Sequence, residues 1–295
     1  MQTHLKKPKS WVLWGLLIPG TLIYSFCVIL PLFISFRYSF FDWSGGIIMK
    51  FVGMRNYLDL LQDSDFWFSF KNNIFIVVWC IIGQIGIALL ISVFLSSRFL
   101  KLKQIHQAIV FVPAVLSAVV VGFVWMMIYS NDYGLLNWLL RTLGLKSLIQ
   151  PWLDDPRLVM YTVTLPLIWQ YIGYYVVIFL AGLSGIPKEI DEVSELDGAE
   201  GAKKFFHITL PLIWDSVKVA MILCIAGNMK VFDHIFVMTF GGPGKSSTVM
   251  SLYAYKNTFT MLKLGYGSTI AIGIFVLSMA LILISRKMMG GSRYE

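Results

Sequence analysis

I-F-I-V-V-W-C-I-I-G-Q-I-G-I-A-L-L-I-S-V-F-L-S, from Ile74 to Ser96, carries no charged side chain. Its apolar residues follow neither the stripe of a helix lying on a soluble core nor the alternation of a half-buried strand. A run of this length matches a hydrocarbon layer roughly 30 Å thick, crossed at about 1.5 Å per helical residue. Water cannot satisfy backbone groups there, so the segment must be helical. Five more blocks follow the same logic: Trp11 to Phe36, Ala108 to Tyr129, Leu158 to Leu183, a broken one from about Leu212 to Met238, and Ser268 to Ser285. The expected fold is all-α, a polytopic membrane protein with six transmembrane helices. Lys6, Lys7 and Lys9 precede the first block as they would a secretory signal. That block is too long for one, contains Pro19 and Pro31, and reaches Phe36-Arg37 without a small-residue cleavage site, so it reads as a retained span.

The composition agrees. Hydrophobic residues make up 57% of the chain and charged residues 14%, with a mean hydropathy of +0.74. A soluble domain of this length needs more charged surface. The net charge of +8 does not point to nucleic acid, because the basic residues stand at the ends of apolar blocks rather than among aromatics. Lys6, Lys7, Lys9, Arg98, Lys101, Lys103, Arg286 and Lys287 fall on one side of a six-span chain. The positive-inside rule makes that side cytoplasmic, with both termini there. The connectors 37–73, 130–157 and 239–267 then face outside. Three cysteines, Cys27, Cys80 and Cys224, lie inside apolar blocks and read as small buried hydrophobes. His4, His106, His207 and His234 are too scattered for a metal site.

One cytoplasmic connector, 184–210, is acidic, with Glu189, Asp191, Glu192, Glu195, Asp197 and Glu200. Ile190, Val193 and Leu196 recur every three residues and make an apolar stripe on a first short helix. Gly198 permits a turn other residues resist. Ala202, Phe205, Phe206 and Ile208 give a second helix its apolar side, and Pro211 is expected to open the fifth span. Such an elbow fits a soluble partner, or equally an amphipathic loop lying on lipid headgroups. T-L-P-L-I-W occurs at Thr164 to Trp169 and again at Thr209 to Trp214 with unrelated flanks, and two helix starts with proline in the first turn account for it.

Glu192, then Gly198 with three residues between it and Ser194, then Ile208-Thr209-Leu210-Pro211 with nine residues between, resembles the signature of bacterial ABC-importer permeases. That signature reads E-A-A, three residues, G, nine residues, I-x-L-P; Val193 and Ser194 replace its alanines. Phe40-Phe41-Asp42-Trp43, Phe51-Val52-Gly53 to Asn56-Tyr57, and Phe232-Asp233 to Gly241-Gly242-Pro243 with Ser251-Leu252-Tyr253 resemble the carbohydrate-uptake branch. The resemblance implies the ABC-importer permease fold in a bacterial plasma or inner membrane. It divides the chain into an N-terminal region of residues 1–73, a permease core 74–285 with a coupling segment 188–211, and a tail 286–295. It implies a second permease subunit in a heterodimer, two cytosolic ABC ATPase subunits and an extracytoplasmic solute-binding protein, besides membrane lipid. ATP and Mg belong to the partner ATPase, with no cofactor on this chain. Coupling is implied at Glu192, Asp197, Gly198, Ala199, Ile208, Leu210 and Pro211.

The same resemblance places a substrate path at Gly227, Asn228 and Val231 and at Ser130, Asn131, Gly134 and Asn137. Asn228 offers donors and an acceptor that suit hydroxyls. Of the aromatic residues in the third and fourth spans, Trp169 and Tyr174 are candidates to line the path, while Trp125, Tyr129, Tyr171 and Tyr175 fit an interfacial belt or helix packing. Charges in a span usually face protein or water. Asp215 with Lys218, and Lys230 with Asp233, are spaced to pair across a helical turn, or Lys230 joins the path and favours an acidic or phosphorylated cargo. Gly244-Lys245-Ser246 imitates a phosphate-binding loop, but Thr239 occupies the position of its first glycine. No nucleophile, base and orienting acid converge, so catalysis is not expected. A carbohydrate importer is the leading reading, with a glycerol-phosphate ester or polyol as alternative cargo and an ion-coupled secondary transporter as the alternative class.

Overall fold

The computed structural model describes residues 10–96 and 101–290, and the topology signals at Lys6, Lys7, Lys9 and Arg98 lie outside them. Among the described residues the regular structure is helical apart from one two-stranded hairpin. Five helices among the described residues are long and apolar enough to cross a membrane, six if one bent pair counts as a single span. Contacts divide the chain into one unit of 1–63 with 254–273 and another of 64–253 with 274–295. This differs from the sequence division at residue 73, because the segment 254–273 packs with the N-terminal region.

In the first unit α1 (Trp14–Tyr38) leads into β1 (Phe41–Asp42) and β2 (Lys50–Phe51), then α2 (Arg55–Gln62). Asn56 is buried and donates its amide to the Ser39 and Phe41 carbonyls at 2.8 and 3.0 Å. Tyr57 shares a 2.7 Å hydrogen bond with the Ser39 hydroxyl. The hairpin is too short to stand alone, and these two side chains, with the Gly265 N–H on the Trp43 carbonyl, pin it.

The second unit holds α3 (Ser64–Ser96), the pair α4 (Lys103–Val115) and α5 (Ala118–Ile128), α6 (Leu135–Thr142) and α7 (Val159–Ser184). After these come α8 (Lys188–Leu196), α9 (Gly201–Lys204), α10 (Trp214–Asn228), α11 (Asp233–Met238), α12 (Met250–Tyr255) and α13 (Leu264–Met288), the last two shared with the first unit. α7 is the centre, packed against α3, α4 and α10. Its tightest approach is at Gly173, where a Cβ would stand 2.2 Å from the Val110 carbonyl oxygen and 2.7 Å from the Phe111 Cα. Neither backbone atom can swing aside. Gly173→Ala is therefore expected to cost about 1–3 kcal/mol by overpacking. Gly86→Ala, with nothing within 4 Å of the new methyl, should leave stability unchanged or raised. Thermal unfolding in detergent reads both, and equal melting points would refute the account.

Three sequence expectations need correction. The third block is not one straight helix: α4 and α5 meet at 94°. Leu116 and Ser117 are extended between them, with ψ of 147° and 134°. The Leu116 carbonyl is met from a neighbouring helix by Gln170, while the Leu116 N–H donates to the Pro113 carbonyl and the Ser117 carbonyl accepts from the Val121 N–H. The bend leaves these groups paired, as backbone at membrane depth requires. Pro166 does not start a helix but lies well inside α7. Pro211 does not open the fifth span either. A wide π turn at Phe205–Thr209 continues α9 into Leu210–Leu212, and α10 starts only after a break at Ile213. Another π turn, Ser25–Ile29, precedes Leu30-Pro31. A proline ring clashes with the carbonyl four residues back and supplies no N–H, and widening the preceding turn relieves both.

Candidate functional site

α8 ends where the sequence requires a left-handed residue. Gly198 has φ +68°, and the Ala199 N–H donates to the Ser194 carbonyl at 2.9 Å, the six-to-one bond of a Schellman ending. Gly201, three residues on, is left-handed too, at φ +55°. That second reversal escaped the sequence reading, because the signature marks only one glycine. Together they fold α8 and α9 into the expected elbow. Ser194 and Ala199 are buried beneath it, and Asp197, Gly198 and Pro211 are exposed. Ile208 and Leu210 are half-buried. Ile190 is half-buried, but Val193, Leu196 and Phe206 are 55%, 87% and 60% exposed. Among the described residues, nothing covers most of the elbow's apolar edge. The backbone of Glu192 lies in α8; its side chain and those of Lys188, Asp191 and Glu195 lie outside the described set.

A cavity of about 300 Å³ opens where the fifth span breaks, between α10 and α11. Asn228, Lys230, Asp233, Tyr171 and Tyr174 are among its lining residues. The break leaves α10 with free carbonyls, and Asn73 meets them: its amide donates to the Asn228 and Met229 carbonyls at 3.0 and 3.2 Å. The other end of the Asn73 side chain accepts from the Met250 N–H at 2.8 Å. Gln84 donates to the Leu167 carbonyl at 2.9 Å and accepts from Cys224 and Asn228.

On the far side of the break, α11 packs against α5. Gln170, buried in α7, reaches the bend between α4 and α5 and donates to the Leu116 carbonyl at 2.9 Å. A carbonyl only accepts, so the Gln170 amide nitrogen must face it and the Gln170 oxygen faces His234, 2.7 Å away. That network assigns the proton to His234 Nε2. Both halves of the broken span pack on α7, but their side-chain anchors differ: Asn73 and Gln84 of α3 bond α10, and Gln170 of α7 bonds α11, which also packs on α5.

The expected path residues separate into two groups. Gly227, Asn228, Lys230, Val231 and Tyr174 line the cavity; Trp169 does not and stacks edge-on against Trp125 at 5.9 Å between centroids. Ser130, Asn131, Gly134 and Asn137 gather elsewhere, at the junction of α5 and α6. Asn137 is buried there; its amide turns to the Ser130 and Asn131 carbonyls and its oxygen accepts from Trp152 Nε1 at 2.8 Å. Its hydrogen-bonding groups are spent on the loop. Asp215 and Lys218 pair at 3.0 Å. Among the described residues no ion pair joins Lys230 to Asp233, because the helix between them is interrupted and the one-turn spacing no longer applies. Lys245 of the loop that imitates a phosphate site pairs with Asp65, and the Asn72 amide holds that loop by the Ser246 and Thr248 carbonyls. Among the described residues no His, Cys, Asp and Glu cluster has metal-binding geometry.

The family model for binding-protein-dependent transport system inner membrane components matches residues 84–286. The probable ABC transporter permease protein YurN of Bacillus subtilis is 33% identical over 92% of this chain and 93% of its own length. The arabinooligosaccharides transport system permease protein AraP of Bacillus subtilis is 30% identical over 84% of this chain and 79% of its own. A crystal structure of the bacterial alginate ABC transporter, in complex with an alginate pentasaccharide-bound periplasmic protein, contains a chain of the same fold. It superposes with a TM-score of 0.80 at 21% identity, covering 94% of this chain and 93% of that one.

Proposed function

The chain belongs to the family of binding-protein-dependent transport system inner membrane components, and from that premise we propose that it is the permease subunit of an ATP-driven carbohydrate importer. It forms half of the translocation path, and a second permease subunit in a heterodimer forms the other half. The observation that carries the reading is the elbow: two left-handed glycines fold a short helix pair whose apolar edge stays exposed among the described residues. Two cytosolic ABC ATPase subunits grip that edge, and they hold the ATP and Mg. An extracytoplasmic solute-binding protein delivers the cargo, for which a relative's name, arabinooligosaccharides transport, supports an oligosaccharide. The host is a bacterial plasma or inner membrane, with both termini in the cytoplasm.

Energetics and topology test this together. Uptake of labelled oligosaccharide by cells carrying the whole importer is expected to stop on ATP depletion and to survive a protonophore; the reverse pattern would make the protein an ion-coupled carrier. Asn131→Cys and Ala202→Cys replace exposed residues. The first should react with an impermeant maleimide from outside and the second only in inverted vesicles. Outside reaction at Ala202→Cys would remove the elbow from the cytoplasm and the ATPase with it.

A further inference from the structure

Most polar groups around the cavity at the helix break are already committed within the chain. Gln84 uses its amide on Leu167 and its oxygen on Cys224 and Asn228. The Asn228 amide turns back to the Cys224 carbonyl at 2.9 Å, and its oxygen has no partner among the described residues. His234 is spent on Gln170. Two charged side chains remain, Lys230 and Asp233, both lining the cavity, both exposed, and neither hydrogen-bonded or ion-paired among the described residues.

Their surroundings are unequal. Asp233 stands in the first turn of α11, where amide dipoles favour a carboxylate. Lys230 follows the C-terminal end of α10, where free carbonyls would favour an ammonium, but Asn73 has already taken the Asn228 and Met229 carbonyls. The positive charge is the less compensated of the two. A charge in a spanning segment is expensive unless it meets an opposite charge or water. A neutral cargo filling the cavity would displace the water around Lys230 and supply no counter-charge. A cargo bearing an anion would supply it, through a charge-assisted hydrogen bond.

We propose that the cargo is an acidic saccharide, with its anionic group recognised by the Lys230 ammonium and its hydroxyls donating to the Asp233 carboxylate. This rests on the carbohydrate-importer reading and narrows it. Asn228, through its oxygen, and the Tyr171 and Tyr174 rings complete a wall suited to a sugar, whose hydroxyls bond at the edge and whose C–H face packs on rings.

The test is uptake by cells expressing the whole importer, using a labelled trigalacturonate and the same trisaccharide with its carboxylates reduced to primary alcohols. The wild type is expected to take up the acidic form at least tenfold faster. Lys230→Met should erase that preference and Lys230→Arg should keep most of it, with complex yield and substrate-free ATPase activity confirming assembly. Uptake of the reduced form alone, or of both equally, overturns the acidic assignment and leaves the carbohydrate importer standing. Uptake of neither overturns both, and an unchanged preference in Lys230→Met removes Lys230 from recognition.

Discussion

Gly198→Val is expected to leave the membrane helices inserted while reducing coupled uptake by tenfold or more and releasing the ATPase subunits on purification. The cause is conformational rather than steric. Gly198 holds φ +68°, yet a Cβ built there meets nothing within 4 Å. A left-handed conformation costs an L-residue roughly 1–2 kcal/mol, and a β-branched one more. At about 1.4 kcal/mol per factor of ten, that strain shifts the balance away from the elbow geometry by roughly tenfold. The six-to-one bond from Ala199 to Ser194 goes with it, and a coupling element transmits motion only as a rigid body. Gly198→Asn, whose side chain tolerates the left-handed region, should retain much of the activity. Gly144→Val supplies the control: it carries the same strain, at φ +74° with equally open space, in the connector after α6. It should lower stability slightly without uncoupling. Normal ATPase retention and coupled uptake in Gly198→Val would make the elbow an ordinary loop.

The features legible in the sequence are those encoded within one segment. Five of the six spans are uninterrupted apolar runs, so their existence needs no partner. The elbow was legible because Gly198 and the Ile190, Val193, Leu196 stripe lie within a few residues of each other. Features that depend on two segments were hidden. The bend at Leu116 is stabilised by Gln170, which sits just past a T-L-P-L-I-W repeat and looks unremarkable there. The spacing of Lys230 and Asp233 promised an ion pair only if the helix between them continued. Asn137 has the chemistry of a sugar contact, and only its contacts with Trp152, Ser130 and Asn131 show that the chemistry is already used.

Gln170→Leu is the second change expected to have a large effect, because one side chain holds two helix breaks together. Its amide meets the Leu116 carbonyl at the bend of α4 and α5, and its oxygen meets His234 at the start of α11. Both Gln170 and His234 are almost fully buried, at 1% and 2% exposure. Removing the amide leaves the buried His234 N–H and the part-buried Leu116 C=O unpaired, each at a cost of up to about 1–3 kcal/mol. A loss of roughly 2–4 kcal/mol follows, enough to lower the melting temperature of a purified complex by several degrees. Uptake should fall further than stability alone explains, since α11 carries the Asp233 wall of the cavity. His234→Leu should cost less, because it orphans only the Gln170 oxygen. The double variant Gln170→Leu/His234→Leu decides whether the bridge is real. With both side chains apolar only the Leu116 carbonyl stays unpaired, so the double loss should be smaller than the two single losses added, by about 1 kcal/mol or more. Strict additivity would mean that the two residues act independently and that α11 is held by packing against α5 and α7 without the bridge.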